Sequence, residues 1–267
     1  MIRIPAVAEL FYPKDSTQLH YVIEGCIEPV LNKKTAVGVI SPHAGYSYSG
    51  KVAGVVFSQI KVPKTVIILG PNHACVGGFA SVASDGAWDM PCGLVRINAD
   101  LAEIILKQDS RFTEDAKAHA VEHSIELQVP FLQYFRPDVT IVPIIFTPLS
   151  YEACQSTGKA LARAIRLYKK DVLIVASSDM THYEPHDIAT IKDSFAIDRI
   201  LAMDGEGLLE TVYRNEISMC GVIPVAIALE TCKILKACKA SLVRYATSGE
   251  VSGDYDQVVG YGGFIIT

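Results

Sequence analysis

The sequence predicts a single α/β domain spanning residues 1–267, a sandwich with a mainly parallel or mixed central sheet flanked by helices. Three observations carry this. Short runs rich in Val and Ile alternate with longer segments of helical spacing. Those runs are apolar at consecutive positions, as strands covered on both faces must be. No repeat, low-complexity tract or linker rich in Pro, Gly or Ser divides the chain.

The elements follow in order. "AVGVI" (36–40) is the first buried strand, with helical spacing over 50–60 behind it, and "TVIIL" (65–69) is the second. Residues 74–98 break the alternation; they hold Trp88 and a "DMPCG" turn and predict a hairpin excursion or a lid. Helical patterns at 99–108 and 121–135 precede the strand "VTIVPIIF" (139–146). A helix over 151–169 leads to "DVLIVAS" (171–177). Helices are then expected at 187–203, 205–214 and 220–238, and the strands "ASLVRYATS" and "VVGYGGFII" close the chain.

Composition excludes several classes of function. Half the residues are apolar and 20% are charged, which suits a globular protein with a sizeable core. The net charge is −5 and no basic block stands out; "RLYKK" ends a helical pattern and matches the negative end of its dipole. A nucleic-acid surface is therefore not expected. No apolar run has the length of a membrane span and no signal pattern opens the chain, so a cytoplasmic protein without membrane contact is the expectation. Seven cysteines, odd in number and without a CxxC pair, predict free thiols rather than a disulfide framework.

The chemistry is expected at one edge of the sheet. Open α/β sheets bind ligands beyond the carboxyl ends of their strands. "AVGVI" runs into "SPHAGY" and His43, "TVIILG" into "PNHAC" and His73, and "DVLIVASS" into "DMTHY" with Asp179 and His182. A lone histidine at such a turn is as often a capping residue as a functional one. Three at equivalent strand ends point to a shared site. Cys220 of "SMCGVIPV" stands at the start of an apolar helical pattern, where a helix N-terminus favours the thiolate. Two imidazoles and one thiolate, His43, His73 and Cys220, make a three-ligand metal set with open positions, soft enough to favour Fe(II) or Cu(I) and to admit Zn. Asp179 is placed to orient a ligand or add a fourth, and His182 to act as general acid or base.

"AVEHSIELQVPFLQYF" adds Glu122, His123 and Glu126, with Glu122 and Glu126 one turn apart if the segment is helical. Glu122 and His123 are expected to support the site; a solvated polar stripe is the plainer alternative. His20, His119 and His186 read as surface or loop residues. A hydrolase with Cys220 as nucleophile and His182 as base leaves two strand-end histidines unused. No G-x-S-x-G, Walker or G-x-G-x-x-G pattern occurs.

Six segments, "IRIPAVAELFYP", "SPHAGYSYSG", "LGPNH", "EHSIELQVPFL", "SSDMTHY" and "MCGVIPV", resemble in this order the signature segments of the Memo family. That family is named for a mediator of receptor-driven cell motility in animals and has bacterial and archaeal relatives. The resemblance implies a fold related to the class III extradiol dioxygenases and a metal pocket. It matches the family's pocket histidines to His43 and His73, its cysteine ligand to Cys220, and its aspartate and further histidine to Asp179 and His182. It also implies pathway partners of the radical-SAM and AMMECR-domain types. Two functions stay open: a metal-dependent redox enzyme acting on a small molecule, and a non-enzymatic protein that binds a metal or peptide in the same cleft.

Overall fold

The computed structural model describes residues 1–267. The chain opens with a short strand, β1 (Ile2–Arg3), and a helix, α1 (Ser16–Cys26). α1 lies outside the helices expected from the apolar pattern; Asp15 caps it by accepting the Gln18 N–H at 2.9 Å. Next come β2 (Gly38–Ser41), α2 (Tyr46–Ser58) and β3 (Thr65–Pro71). Residues 74–98 form β4 (Ala80–Val82) and a hairpin of β5 (Ala87–Met90) and β6 (Gly93–Ile97) around the "DMPCG" turn. The middle of the chain holds α3 (Ala99–Leu106), β7 (Phe112–Glu114), α4 (Val129–Phe135), β8 (Thr140–Phe146), α5 (Tyr151–Tyr168) and β9 (Val172–Ser177). The last third supplies β10 (His182–Glu184), α6 (His186–Leu201), α7 (Gly205–Arg214), α8 (Val222–Ile234), β11 (Ala240–Thr247), α9 (Gly249–Ser252) and β12 (Val258–Ile266).

Twelve strands form one mixed sheet. Its centre, in the order β6-β8-β3-β9-β2, is parallel, while β12 joins β2 antiparallel and pairs in turn with β10 and β11. Alternate side chains of the central strands enter two separate cores. Ile40, Leu69, Ile144 and Ala176 pack with α3, α5, α7 and α8 on one face; Val39, Ile68, Ile145 and Val175 pack with α1, α2 and α4 on the other. Burial on both faces explains why these strands carry no polar alternation.

The helix expected over 121–135 lacks its first turns. Residues 121–125 form a turn, followed by a 3-10 turn at Glu126–Gln128 and then by α4. The Glu122 carboxylate accepts the Ser124 N–H at 2.8 Å, a local bond that competes with helix formation. Glu122 and Glu126 are consequently not stacked on one helical face. The helix expected over 220–238 is shorter, beginning at Val222, so Cys220 lies in the turn that leads into it.

The register of the parallel strands sets the position of the site. Ile40 pairs with Ala176 and Ala176 with Leu69, so the chain ends of β2, β9 and β3 are level. Three or four residues beyond that line stand His43, Asp179 and His73.

Candidate metal centre

His43 is buried and held at two points. Its backbone N–H donates to Asp179 Oδ1 at 2.7 Å, and its ring Nδ1 lies 2.9 Å from Ser177 Oγ. Ser177 donates its single hydroxyl proton to the Ser124 carbonyl at 2.7 Å and accepts from Gln128 Nε2 at 2.8 Å. Ser177 Oγ can therefore only accept from the imidazole, so Nδ1 carries the proton and Nε2 keeps its lone pair. Burial, then the neighbouring His73 and His123, push the His43 pKa well below the ordinary histidine value. A neutral imidazole with an unprotonated Nε2 is able to ligate a metal ion.

His73 reaches the same tautomer by another route. Its Nδ1 lies 2.9 Å from Glu122 Oε1, and its backbone N–H donates to Glu122 Oε2 at 2.7 Å. Burial would raise Glu122, but hydrogen bonds from His73 and the Ser124 N–H outweigh it and hold the carboxyl down at about 2. Burial would likewise lower His73, and Glu122 more than offsets it, so His73 is raised. A carboxylate behind Nδ1 orients the ring and strengthens Nε2 as a donor. Gly70, at the end of β3, makes this arrangement possible: a Cβ there would stand 2.6 Å from Ser124 Oγ, inside the turn that carries Glu122.

His123 completes the group. Its ring stacks on His73 at 4.8 Å between centroids and meets His43 edge-on at 5.6 Å. Burial lowers its pKa, and Glu122 Oε1 stands 3.6 Å from its Nδ1. One donor atom from each of His43, His73 and His123 falls within 4.8 Å of the others, an arrangement that can hold a metal ion. The sequence reading has His123 as a supporting residue and not as a metal donor. Folding of 121–125 as a turn brings it beside His73.

Cys220 touches this group on one side. Its Sγ lies 3.2 Å from His43 Nε2 and accepts the Asp179 N–H at 3.3 Å. Gly221 lets the turn approach the end of β9, since a Cβ there would fall 2.3 Å from the Ser177 carbonyl oxygen. The expected thiolate is corrected by the structure. Burial and the adjacent Asp179 carboxylate push the Cys220 thiol strongly upward, and this outweighs the helix N-terminus.

Asp179 and His182 line the same cleft, of about 320 Å³, with Phe11, Tyr48 and Tyr183 at its walls. Burial raises Asp179 to about 6, against hydrogen bonds from backbone N–H groups and the nearby His182. His182 Nδ1 lies 2.9 Å from the Ser218 carbonyl, which can only accept, so its Nε2 is the proton-accepting nitrogen. No residue of 74–98 lines the cleft.

Two histidine-region expectations change. Glu126 stands apart from the site: fully buried, it binds Arg3 at 2.7 Å, the Ala6 and Val7 N–H groups and the Tyr12 hydroxyl, and so fastens the N-terminal segment. His119, expected at the surface, is buried; it donates Nε2–H to the Ser81 carbonyl at 3.0 Å, and burial lowers it to about 4. Ser177, Gln128 and Ser218 were missed as supporting residues. A serine closing the otherwise apolar "DVLIVAS" was the available signal.

Comparison with known proteins follows the same line. The profile of the Memo-like protein family matches residues 3–265. A MEMO1 family protein of Methanothermobacter thermautotrophicus is 43% identical, covering 98% of this chain and 99% of that protein. One from Methanopyrus kandleri is 40% identical over 99% of both chains, and one from Aquifex aeolicus 41% identical over 99% and 98%. Among solved structures, an uncharacterized protein from Escherichia coli K12 superposes with a TM-score of 0.59 at 14% identity, covering 85% of this chain and 98% of that one; it shares the fold. No helix is long and apolar enough to cross a membrane.

Proposed function

The chain belongs to the Memo family, and we propose that its cleft holds one transition-metal ion on His43, His73 and His123, with Cys220 as a soft fourth donor, and works as a metal-dependent redox enzyme on a small substrate. The convergence of three imidazole donors within 4.8 Å carries this proposal. The donor set fits such an ion: hydrogen bonds already hold the Nδ1 protons of His43 and His73, so each offers Nε2 without rearrangement. Imidazole suits Fe, Cu and Zn alike, and a thiol within reach shifts preference toward Fe(II) or Cu(I). The kinship with extradiol dioxygenases implied by the sequence resemblance is part of this proposal and assigns no substrate.

A bound ion of this kind supplies Lewis acidity and, for iron or copper, one-electron exchange. The chain's own groups handle protons. His182, with Nδ1–H fixed on Ser218, accepts a proton at Nε2 from a substrate hydroxyl. Asp179, its pKa raised by burial, holds the His43 backbone in place and stands within the cleft as a second proton-exchanging group. Phe11, Tyr48 and Tyr183 give the cleft aromatic walls against which a small substrate can pack.

The test is metal analysis of protein purified without chelator or affinity-tag nickel, then anaerobic loading with Fe(II) or Cu(I) and oxygen-uptake assays with catechols and candidate metabolites. About one ion per chain and substrate-dependent uptake support the proposal. Stoichiometric metal without turnover favours a metal- or peptide-binding protein acting with a partner. Absence of tight binding by any of Fe(II), Cu(I) and Zn overturns the metal centre.

A further inference from the structure

An open groove of about 970 Å³ lies outside the metal cleft. It is walled by α7 and by the first turns of α5 and α8. Leu209, Val212, Ile217, Val222 and Ile223 form an apolar floor. Glu206, Leu209, Glu210 and Tyr213 recur at i, i+3, i+4 and i+7 and so present one face of α7 to it. Tyr213 is 89% exposed, an aromatic side chain with no cover.

The rim is strongly one-signed. Glu152, Glu206, Glu210 and Glu216 stand around the floor against a single cation, Arg214. None of these four carboxylates forms an ion pair within the chain. An apolar floor with an unpaired anionic rim is complementary to an apolar stripe bordered by cations. The walls are helices and offer no unpaired strand edge, so an occupant is held by side chains and not by ladder hydrogen bonds. We propose that this groove docks a basic amphipathic helix of another protein, with its apolar face on Leu209 and Ile223 and its Lys or Arg side chains over the glutamates and Tyr213.

A second copy of this chain is the poorer occupant. The exposed apolar stripe of α6, Ile188, Ile191 and Phe195, carries Lys192 and Arg199, but these are already paired with Glu184 and Asp204. The net charge of −5 also opposes self-association. The groove adjoins the metal cleft through one turn: Val222 follows Gly221 and Cys220, whose sulfur lies 3.2 Å from His43 Nε2.

The experiment titrates the full chain with a labelled synthetic helix bearing leucines at i, i+3, i+4 and i+7 and lysines on both flanks. A glutamate-flanked version of the same peptide is the control. The lysine peptide is expected to bind on the order of micromolar, to shift amide resonances of α7 and of residues 222–223, and to weaken with salt. Glu206→Lys with Glu210→Lys should weaken it at least about tenfold and admit the glutamate peptide instead. Tyr213→Ala should also weaken it; all three positions are exposed, so unchanged thermal melting confirms intact folding. Equal binding of both peptides, indifference to the charge reversal, shifts confined to another surface, or burial of the groove in a dimer by sedimentation would each overturn the proposal.

Discussion

Glu122 binds His73 twice, through the ring Nδ1 at 2.9 Å and the backbone N–H at 2.7 Å, and stands 3.6 Å from the ring of His123. One carboxylate thus orients the His73 imidazole and places a negative charge beside His123. Glu122→Gln keeps the shape and removes the charge. Metal affinity in a competition titration is expected to fall on the order of 10–100-fold, with the fold intact by circular dichroism. Unchanged affinity would show that the pair serves only the turn.

His123 and Cys220 are the third and fourth donors of the proposed set, and their contributions are separable. His123→Ala should cost more affinity for Zn, which three imidazoles satisfy. Cys220→Ala should cost more for Cu(I), which a thiolate prefers. Isothermal titration of both variants with both metals reads the difference directly. A loss confined to Cys220→Ala for every metal would replace His123 by the cysteine in the ligand set.

The metal-free Cys220 thiol is expected to be a slow nucleophile. Burial and Asp179 hold it protonated, whereas Cys75 and Cys238 are exposed. Alkylation mapped by mass spectrometry in the presence of a chelator should therefore label Cys75 and Cys238 first. Asp179→Asn removes the adjacent charge and should accelerate labelling of Cys220; if the rate is unchanged, burial alone governs it.

His119 gives the protein a pH dependence away from the metal centre. Its pKa is lowered from 6.5 to about 4 when folded, so the folded state binds fewer protons than the unfolded chain in that interval. Stability is therefore fully present above the unfolded value and falls as pH drops from 6.5 toward 4. The loss from this residue between pH 7 and pH 5 is about 2 kcal/mol. Urea unfolding with chelator present should show a shallower pH slope for His119→Gln than for the parent chain. Equal slopes would assign the acid sensitivity to His43 and other groups.

Local pattern was enough to determine the strand cores, most of the helices and the chain positions where chemistry had to emerge. Apolar runs such as "TVIIL" specify strands buried on both faces, and the level ends of β2, β3 and β9 follow from parallel pairing, so His43, His73 and Asp179 were legible in order. Tertiary structure decided which side chains complete the site. His123 joins it because Glu122 satisfies the backbone of its own turn in place of a helix, a choice that depends on His73 and on the space beside Gly70, both distant in sequence. The protonation of Cys220 likewise depends on burial against Asp179, which helix position alone does not reveal. Periodicity reports which face a residue occupies; desolvation, tautomer and donor distance arise only when separate segments meet.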